Sequence, residues 1–485
     1  MTTEIAHKAF KYRLKPTQTQ ENAFRQAVGA ARVAYNMLTA LNRDVLRRGW
    51  EIRNQLIEQG LSEAEASAQM KKLRKEDLSL KIMSSFAWQK DVLTPEIARH
   101  KQAAARIAAG DPIESVWSGE RFAEPWFHAV PRRAFVSGAD QAATAISNWM
   151  KSVAGQRAGN KMGLPRFKKA GRSHDSITIP VVDGSSPAGG YGASYKRGEP
   201  RKGFIQDHHR LRLAMFGTVV TYNSTAPLTQ LVTQGGTIKS FTISRDAQYW
   251  YVSLLVEAPI NLLHRPGPTK AQEKAGVIGV DLGVKAKAAL SNGEIINNPR
   301  HLQLSLKRLA KLQVKLSRTQ KGSKNREHLK KQISRLQHKI ALQRAASNHQ
   351  MTKELSTTYV GVGIEDLNVA GMTKSASGTL ENPGKNVAAK SGLNRNILDV
   401  SFGQIRNQLE YKTKMYGSAL TVIGRYEPTS KRCSQCGAMK SDLSLKERTY
   451  ICVECNYQDD RDINAAKNIR NLAEKELGMV SSISS

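Results

Sequence analysis

A carboxylate stands inside what reads as a buried strand. Residues 276–296 run GVIGVDLGVKAKAALSNGEII, and from Gly276 to Leu290 apolar and small residues alternate as in an interior β-strand that Asp281 interrupts. A buried charge is costly unless something pairs it. Ser291-Asn292-Gly293 then reads as a tight hairpin turn, because Asn and Gly tolerate positive φ. A strand that carries one Asp inward and turns straight back offers a metal ligand. Two later stretches offer matching acids, GVGIEDLNVAGM around Glu365 and DDRDINAAKNI around Asp462.

Taken singly, these acids have plainer roles. An Asp in a strand can be a hydrogen-bonded structural residue, a Glu after a strand is usually solvated, and Asp462 could be the N-cap of the helix INAAKNIRNL. Together they suit hard divalent cations, which take carboxylate oxygens. Two such ions about 3.5–4 Å apart can activate a water and stabilise the leaving oxygen of a phosphodiester. Ala465 and Ala466 would let the last helix pack close to the sheet and bring Asp462 toward Asp281 and Glu365. Asp459 and Asp460 are neighbours that could take the place of Asp462.

Charge points to a polyanion. The 485 residues hold 74 Lys and Arg against 41 acids, a formal net charge of +33 spread over several regions. That spread favours an extended nucleic-acid groove over a tethering arm. No apolar leader and no run of 18 apolar residues is present, so neither a signal peptide nor a membrane span is expected, and the chain reads as cytoplasmic.

Along the chain, AFKYRLK (9–15) alternates strictly, with Phe10, Tyr12 and Leu14 on one face and Lys11, Arg13 and Lys15 on the other. A helix follows Pro16-Thr17, with an apolar stripe from Phe24 to Val45 and an expected end at Gly49. Residues 50–160 read as mainly helical, with Trp88, Trp117, Trp126 and Trp149 as core or interface residues. NKMGLPRFKKAGR (160–172) is a basic loop in which Lys168 and Lys169 follow Phe167. SITIPVV, TVVTYN, TIKSFTIS and WYVSLLVEA then read as strands of a small antiparallel barrel, with a flexible loop at 183–200. Leu302 to Leu316 and Leu329 to Ile340 form two helical stripes joined at Gly322-Ser323, an antiparallel hairpin. From Lys307 to Arg344 it carries 13 Lys or Arg and one acid, Glu327. A solvated helix surface would mix signs, so Lys307, Arg308, Lys311, Lys315, Arg318 and Arg326 are candidates, with Lys11, Arg13, Lys168 and Lys169, for contact with a phosphate backbone. A strand ends at Glu365, a mobile loop covers 370–392, one amphipathic helix spans Asn394 to Tyr416, and Leu420 to Ile423 is a further strand.

All four cysteines fall in one 23-residue window, as Cys433-x2-Cys436, 15 residues, and Cys452-x2-Cys455. Two CxxC knuckles complete a closed tetrahedral site for one structural Zn2+, in a reducing compartment. Such a site keeps no open position and is assigned no catalysis.

In this order, GVDLGV, IEDLNVAGM, NRNILDVSFGQIRNQLEYK, SKRCSQCG…CVECN and DRDINAAKNI resemble the C-terminal half of TnpB nucleases, a transposon family, and of the compact type V CRISPR effectors that share its pattern. FKYRLKPTQTQENAFRQAVGAARVAYN and GLPRFKKAGR resemble the family's N-terminal segments. The resemblance implies a multidomain α+β protein whose RNase H-like (RuvC) α/β nuclease domain holds a zinc-finger insertion, beside an N-terminal β-barrel (wedge) domain with a helical recognition insertion. On this sequence that places the wedge at 1–20 and 161–267 and the recognition helices at 21–160. RuvC parts I and II fall at 268–427, with the basic hairpin at 301–350. The zinc finger occupies 428–457, RuvC part III 458–473, and a disordered tail 474–485. It further implies Asp281, Glu365 and Asp462 as the acidic triad holding two Mg2+, and Cys433, Cys436, Cys452 and Cys455 as zinc ligands. The activity implied is RNA-guided DNA cleavage, with guide RNA and double-stranded target DNA as partners and a monomer or an RNA-bound homodimer as the assembly. The alternative, an RNA-guided DNA-binding repressor without cleavage, would be favoured by loss of a triad acid, and all three are present. Transposon and CRISPR origins both fit the sequence.

Overall fold

The alternation of apolar and basic residues near the N-terminus produces a strand over Ile5–Lys15 (β1), with Tyr12 and Leu14 buried. In the computed structural model residues 4–112, 130–181, 205–379, 381–444 and 447–479 are described. They form two compact units, Ile5–Pro259 and Met1–Glu4 with Ile260–Ser485. Trp117, Trp126, the loop at 183–200 and residues 480–485 lie outside the described residues.

In the unit Ile5–Pro259, β1 joins β2 (Asp175–Pro180), β3 (Ile205–Asp207), β4 (Arg210–Leu213), β5 (Gly217–Thr221), β6 (Thr237–Asp246) and β7 (Tyr249–Pro259). The order is β2-β6-β7-β1-β5-β4-β3, every neighbour antiparallel. Among the described residues β2 and β3 are unpaired edges, so the expected barrel is an open seven-stranded sheet there. Against it lie α1 (Gln18–Glu58) and α2 (Arg132–Val153), which meet along small side chains. Ala30, Ala31, Ala34, Ala134, Ala139 and Ala142 are all fully or nearly buried. At Gly138 a Cβ would sit 1.9 Å from the Ala31 carbonyl oxygen, so only glycine permits this crossing. The expected end of α1 at Gly49 is not observed. Helix interiors tolerate Gly at a cost of about 1 kcal/mol, and here Met70 and Arg74 of the helix Glu63–Glu76 close over that position. The chain leaves α1 instead at Gly60, where φ is +99°.

The second unit is built on a five-stranded sheet of order β10-β9-β8-β11-β12. Its strands are β8 (Val277–Leu282), β9 (Ala286–Leu290), β10 (Ile295–Asn297), β11 (Gly361–Glu365) and β12 (Ala419–Ile423). The expected single strand from Gly276 to Leu290 is thus two antiparallel strands, turning at Gly283-Val284-Lys285 before the second turn at Ser291-Asn292-Gly293. β8, β11 and β12 run parallel. Parallel pairs require long crossovers, and the sequence supplies the first one as the hairpin of α3 (His301–Ser317) and α4 (Lys324–Thr358).

Helix α4 has two roles. Its first half packs Leu336 and Ile340 against Leu309 of α3, and its last turns place Met351 and Leu355 on the sheet beside Ile278, Val280, Val362 and Ile364. The amphipathic run to Tyr416 is two helices, α5 (Val387–Val400) and α6 (Phe402–Tyr416), broken at Ser401 with φ +62°. The break lets Asp399 accept from the Leu302 amide at 3.1 Å and take the Arg344 guanidinium at 2.8 Å, which anchors the start of α3. In place of a wholly mobile loop at 370–392, the chain forms a short turn of helix at Val369–Met372, a bridge between Gly378 and Pro383, and the start of α5. The opposite face of the sheet is covered by α7 (Arg461–Glu476), which extends into the stretch expected to be a disordered tail.

Candidate active site

Alternation along a strand decides which residues share a face. On β8, Ile278 and Val280 pack toward α4 and α6, and Val277 packs toward α7. Gly279 and Asp281 therefore face α7. On β11, Val362 and Ile364 take the first face, so Gly361, Gly363 and Glu365 take the second. The glycines let the helix come down onto the strands. A Cβ on Gly279 would lie 1.9 Å from the Ala466 carbonyl oxygen and 2.5 Å from the Arg470 nitrogen, and one on Gly363 would lie 2.9 Å from the Ala473 Cβ. Ala465 and Ala466 are buried against this face.

Both acidic strand positions come at the end of the glycine face. Val280 pairs with Ile364 in parallel register, so Asp281 and Glu365 are the next residues along neighbouring strands, which are about 4.8 Å apart. The first turn of α7 brings Asp462 over the same end. Asp281 and Asp462 line one cleft of about 650 Å³, together with Lys285, Arg300, Arg448 and Arg461. Burial pushes the Asp281 carboxyl up to about 8, and the nearby charges of Glu365 and Asp462 push the same way against the opposing pull of Arg461.

The N-cap of α7 is Asp460, which accepts from the amides of Asp462 and Ile463 at 2.8 and 3.3 Å. Asp459 is held by Lys467 at 2.8 Å and by the Tyr457 hydroxyl at 2.6 Å. Of three acids within four residues, Asp462 is the one whose carboxylate is left to the cleft. Glu365 accepts through Oε1 from the Thr429 hydroxyl. The three candidate carboxylates do not converge as tightly as the thiols. Among the described residues only the four cysteines bring their ligand atoms within 4.8 Å of one another. Carboxylates arranged around two ions about 3.5–4 Å apart need not be that close.

The four thiols cluster, with all Sγ atoms within 4.8 Å of one another. Sγ atoms of Cys433 and Cys455 are 3.7 Å apart and those of Cys436 and Cys452 are 3.6 Å apart. A Zn–S bond of about 2.3 Å makes the edges of a regular tetrahedron about 3.8 Å, which these two separations match. Each knuckle turns on a left-handed residue, Gly437 at φ +79° and Asn456 at φ +54°. The hairpin β13 (Thr449–Ile451) and β14 (Gln458–Asp460) leads from the knuckles straight into α7, with Tyr450 fully buried between them.

The candidate nucleic-acid contacts divide into two groups. Lys11 lies over the Tyr251 ring at 4.7 Å, and Arg13 lies over Tyr249 at 3.8 Å and Tyr222 at 4.2 Å, a cationic and aromatic strip in which Lys11 and Tyr222 are exposed, Arg13 and Tyr249 half-buried and Tyr251 buried. Lys169, Lys307, Arg308, Lys311, Lys315 and Arg318 are exposed. Lys168 and Arg326 are engaged internally. Lys168 is half-buried over the Tyr35 ring and donates to Gln141. Arg326 donates to the carbonyls of Leu316 and Thr319 at 2.7 and 3.0 Å, closing the end of α3. Residues not singled out in the sequence also reach the site: Thr429 on Glu365, and Arg300, Arg448 and Arg461 in the cleft. Of these only Arg461 carried a signal, through its place between Asp460 and Asp462.

Residues 253–376 match the family described as "Probable transposase" (OrfB_IS605), 402–469 match "Cas12f1-like, TNB domain", and 1–49 match "Helix-turn-helix domain", a range that here forms β1 and most of one long helix. The chain is 37% identical over 235 residues to "Putative RNA-guided DNA endonuclease InsQ" of Escherichia coli, a match spanning 48% of this chain and 56% of that protein. It is 27% identical over 473 residues to a "Putative RNA-guided DNA endonuclease" of Mycobacterium tuberculosis, spanning 96% of this chain and 86% of that one. Among solved structures, that titled "Cryo-EM structure of the Cas12f1-sgRNA-target DNA complex" aligns over 96% of this chain and 99% of its own, with 16% identity and a TM-score of 0.44. In chain order, the sequence thus carries a segment of the OrfB_IS605 type and one of the Cas12f1-like TNB type, and it is similar to proteins named RNA-guided DNA endonucleases.

Proposed function

We propose that the chain is an RNA-guided DNA endonuclease. Guide RNA pairs with one strand of a double-stranded target, the protein reads a short flanking motif, and a RuvC-type site hydrolyses phosphodiester bonds. The observation that carries this reading is the register of β8 and β11, which sets Asp281 beside Glu365 at the end of a glycine face over which Asp462 arrives. The relatives' description as guided endonucleases supports the same reading.

The donor set fits Mg2+. Burial, with the neighbouring charges of Glu365 and Asp462 adding to it, raises the Asp281 carboxyl to about 8, and a hard divalent cation offsets both the burial cost and the repulsion. When bound, Mg2+ supplies an activated water and a stabilised leaving oxygen. The chain's own residues do the positioning. Two paired strands fix Asp281 and Glu365, Asp460 takes the helix-capping work from Asp462, and Arg448 and Arg461 offer cationic partners to phosphates entering the cleft. In this reading 260–479 is the RNase H-like nuclease domain with the Zn2+ site as its inserted staple. The unit 5–259 is the wedge with its recognition helices, and the α3–α4 hairpin lies along a heteroduplex backbone. Among the described residues no helix is long and apolar enough to cross a membrane.

The test is Asp281→Ala, purified with its RNA. Target cleavage is expected to vanish while RNA content and target binding stay at the wild-type level. Full cleavage by that variant would overturn the reading.

A further inference from the structure

We propose that Thr429 is a positioning residue that fixes which oxygen of Glu365 is presented to the metal; this rests on the reading of Asp281, Glu365 and Asp462 as magnesium ligands. Three parts of the molecule meet at Thr429. Its hydroxyl donates to Glu365 Oε1 at the end of β11. Its carbonyl accepts from Asn468 Nδ2 at 2.8 Å, on the helix that carries Asp462. Four residues later Cys433 opens the first zinc knuckle.

The backbone around Thr429 is held from both sides. Asn468 Nδ2 also donates to the Arg432 carbonyl at 2.7 Å, and Asn464 Nδ2 donates to that same oxygen at 2.8 Å. Asn464 Oδ1 in turn accepts from the Ser434 amide at 3.0 Å. Both asparagines are buried, at 0% and 3% exposure, and Thr429 is 5% exposed. Two amide side chains on consecutive turns of α7 thus tie the segment 429–434 to the helix, and the threonine hydroxyl extends that tie to Glu365.

A Glu side chain has three rotatable bonds and two equivalent oxygens. A hydroxyl donated to Oε1 removes that equivalence, because Oε2 keeps its lone pairs free for a hard cation while the carboxylate plane is held. Threonine suits the task because branching at Cβ restricts χ1, so the donor is pre-aimed. Partners of this kind, which touch the ligand and not the ion, typically change metal affinity by about 10- to 100-fold when lost. The first zinc knuckle, which Cys433 opens, continues directly from this segment. The knuckle braces the segment that orients one acid and is bonded to the helix that delivers another.

The experiment compares Thr429→Val, which keeps the shape and removes the donor, with Thr429→Ser, which keeps the donor. Each full-length complex with its RNA is titrated with Mn2+, and binding is followed by electron paramagnetic resonance, with Asp281→Ala giving the baseline for ions held by RNA. Zinc content is measured alongside, and the Mg2+ concentration for half-maximal cleavage gives a second readout. The expected result is Mn2+ affinity about tenfold weaker in Thr429→Val, a parallel rise in the Mg2+ requirement, near wild-type values in Thr429→Ser, and one zinc in each. Wild-type Mn2+ affinity in Thr429→Val would overturn the proposal, as would a serine variant as weak as the valine one. If the valine variant loses its zinc, Thr429→Ala replaces it under the same criteria. Mn2+ binding by Asp281→Ala equal to wild type would instead overturn the ligand assignment on which the proposal rests.

Discussion

Replacing Gly279 with alanine adds one methyl group at the closest approach between sheet and helix. Its Cβ would stand 1.9 Å from the Ala466 carbonyl oxygen, 2.5 Å from the Arg470 nitrogen and 3.0 Å from the Arg470 Cα. A carbon–oxygen contact of about 3.3 Å is the tolerable limit, so α7 must retreat by about 1.4 Å or the strand must bend. All three close atoms belong to backbone, so no side chain can swing aside. Overpacking of this kind costs about 1–3 kcal/mol. The functional cost is expected to be larger than the stability cost, because Asp462 rides on the displaced helix and a misplacement of about 1 Å lowers a rate by about 100-fold. The assay pairs thermal unfolding with single-turnover cleavage at saturating Mg2+. The expected variant is folded, melts a few degrees lower, retains target binding and cleaves about two orders of magnitude more slowly. A variant that melts and cleaves like wild type would refute the claim that the glycine face sets the distance between helix and strands.

Other perturbations follow from the same geometry. Cys452→Ser should lose the bound zinc and lower stability, read by elemental analysis and melting; unchanged zinc content would contradict the tetrahedral site. Asp281 has a carboxyl raised from an ordinary value of 3.8 to about 8. In Mg2+-free protein the stability it contributes is therefore full below about pH 4 and lost as pH rises through about 8. The melting temperature of Asp281→Asn should accordingly gain on wild type across that interval and level off above it, whereas a pH-independent difference would show that the carboxyl is not perturbed. Reversing the charges at Lys311, Lys315 and Arg318 together should weaken guide-RNA binding and flatten its salt dependence by roughly two to three charges' worth of slope, with zinc content unchanged. An unaltered salt slope would take α3 away from the phosphate backbone.

The candidate site residues stood out in the sequence because each is a rare type in a restrictive setting. Asp281 interrupts an apolar strand, the CxxC spacing suits little besides a tetrahedral metal, and the helices from Lys307 to Arg344 hold 13 Lys or Arg against the single acid Glu327. The helical hairpin was legible from its leucine stripes. The glycine face was not, because Gly279, Gly361 and Gly363 acquire meaning only when β8 and β11 are known to be neighbours, and two strands and a helical hairpin, residues 283–360, separate them. Local turn chemistry misled at Gly49, where packing of Met70 and Arg74 outweighs the propensity of glycine to end a helix, and at Gly283, where a second turn was hidden among alternating small residues. Lys168 and Arg326 read as solvent-facing cations because their partners, Tyr35 with Gln141 and the end of α3, depend on tertiary contacts. The choice among Asp459, Asp460 and Asp462 needed the hydrogen bonds of the helix start, which composition cannot supply.

In the proposed reading, acids distant in sequence form one magnesium site. Anomalous diffraction from crystals soaked in Mn2+ tests it directly. Two manganese peaks about 3.5–4 Å apart, coordinated by Asp281, Glu365 and Asp462, are the predicted result. Manganese found only elsewhere, with these three carboxylates unligated, would contradict it.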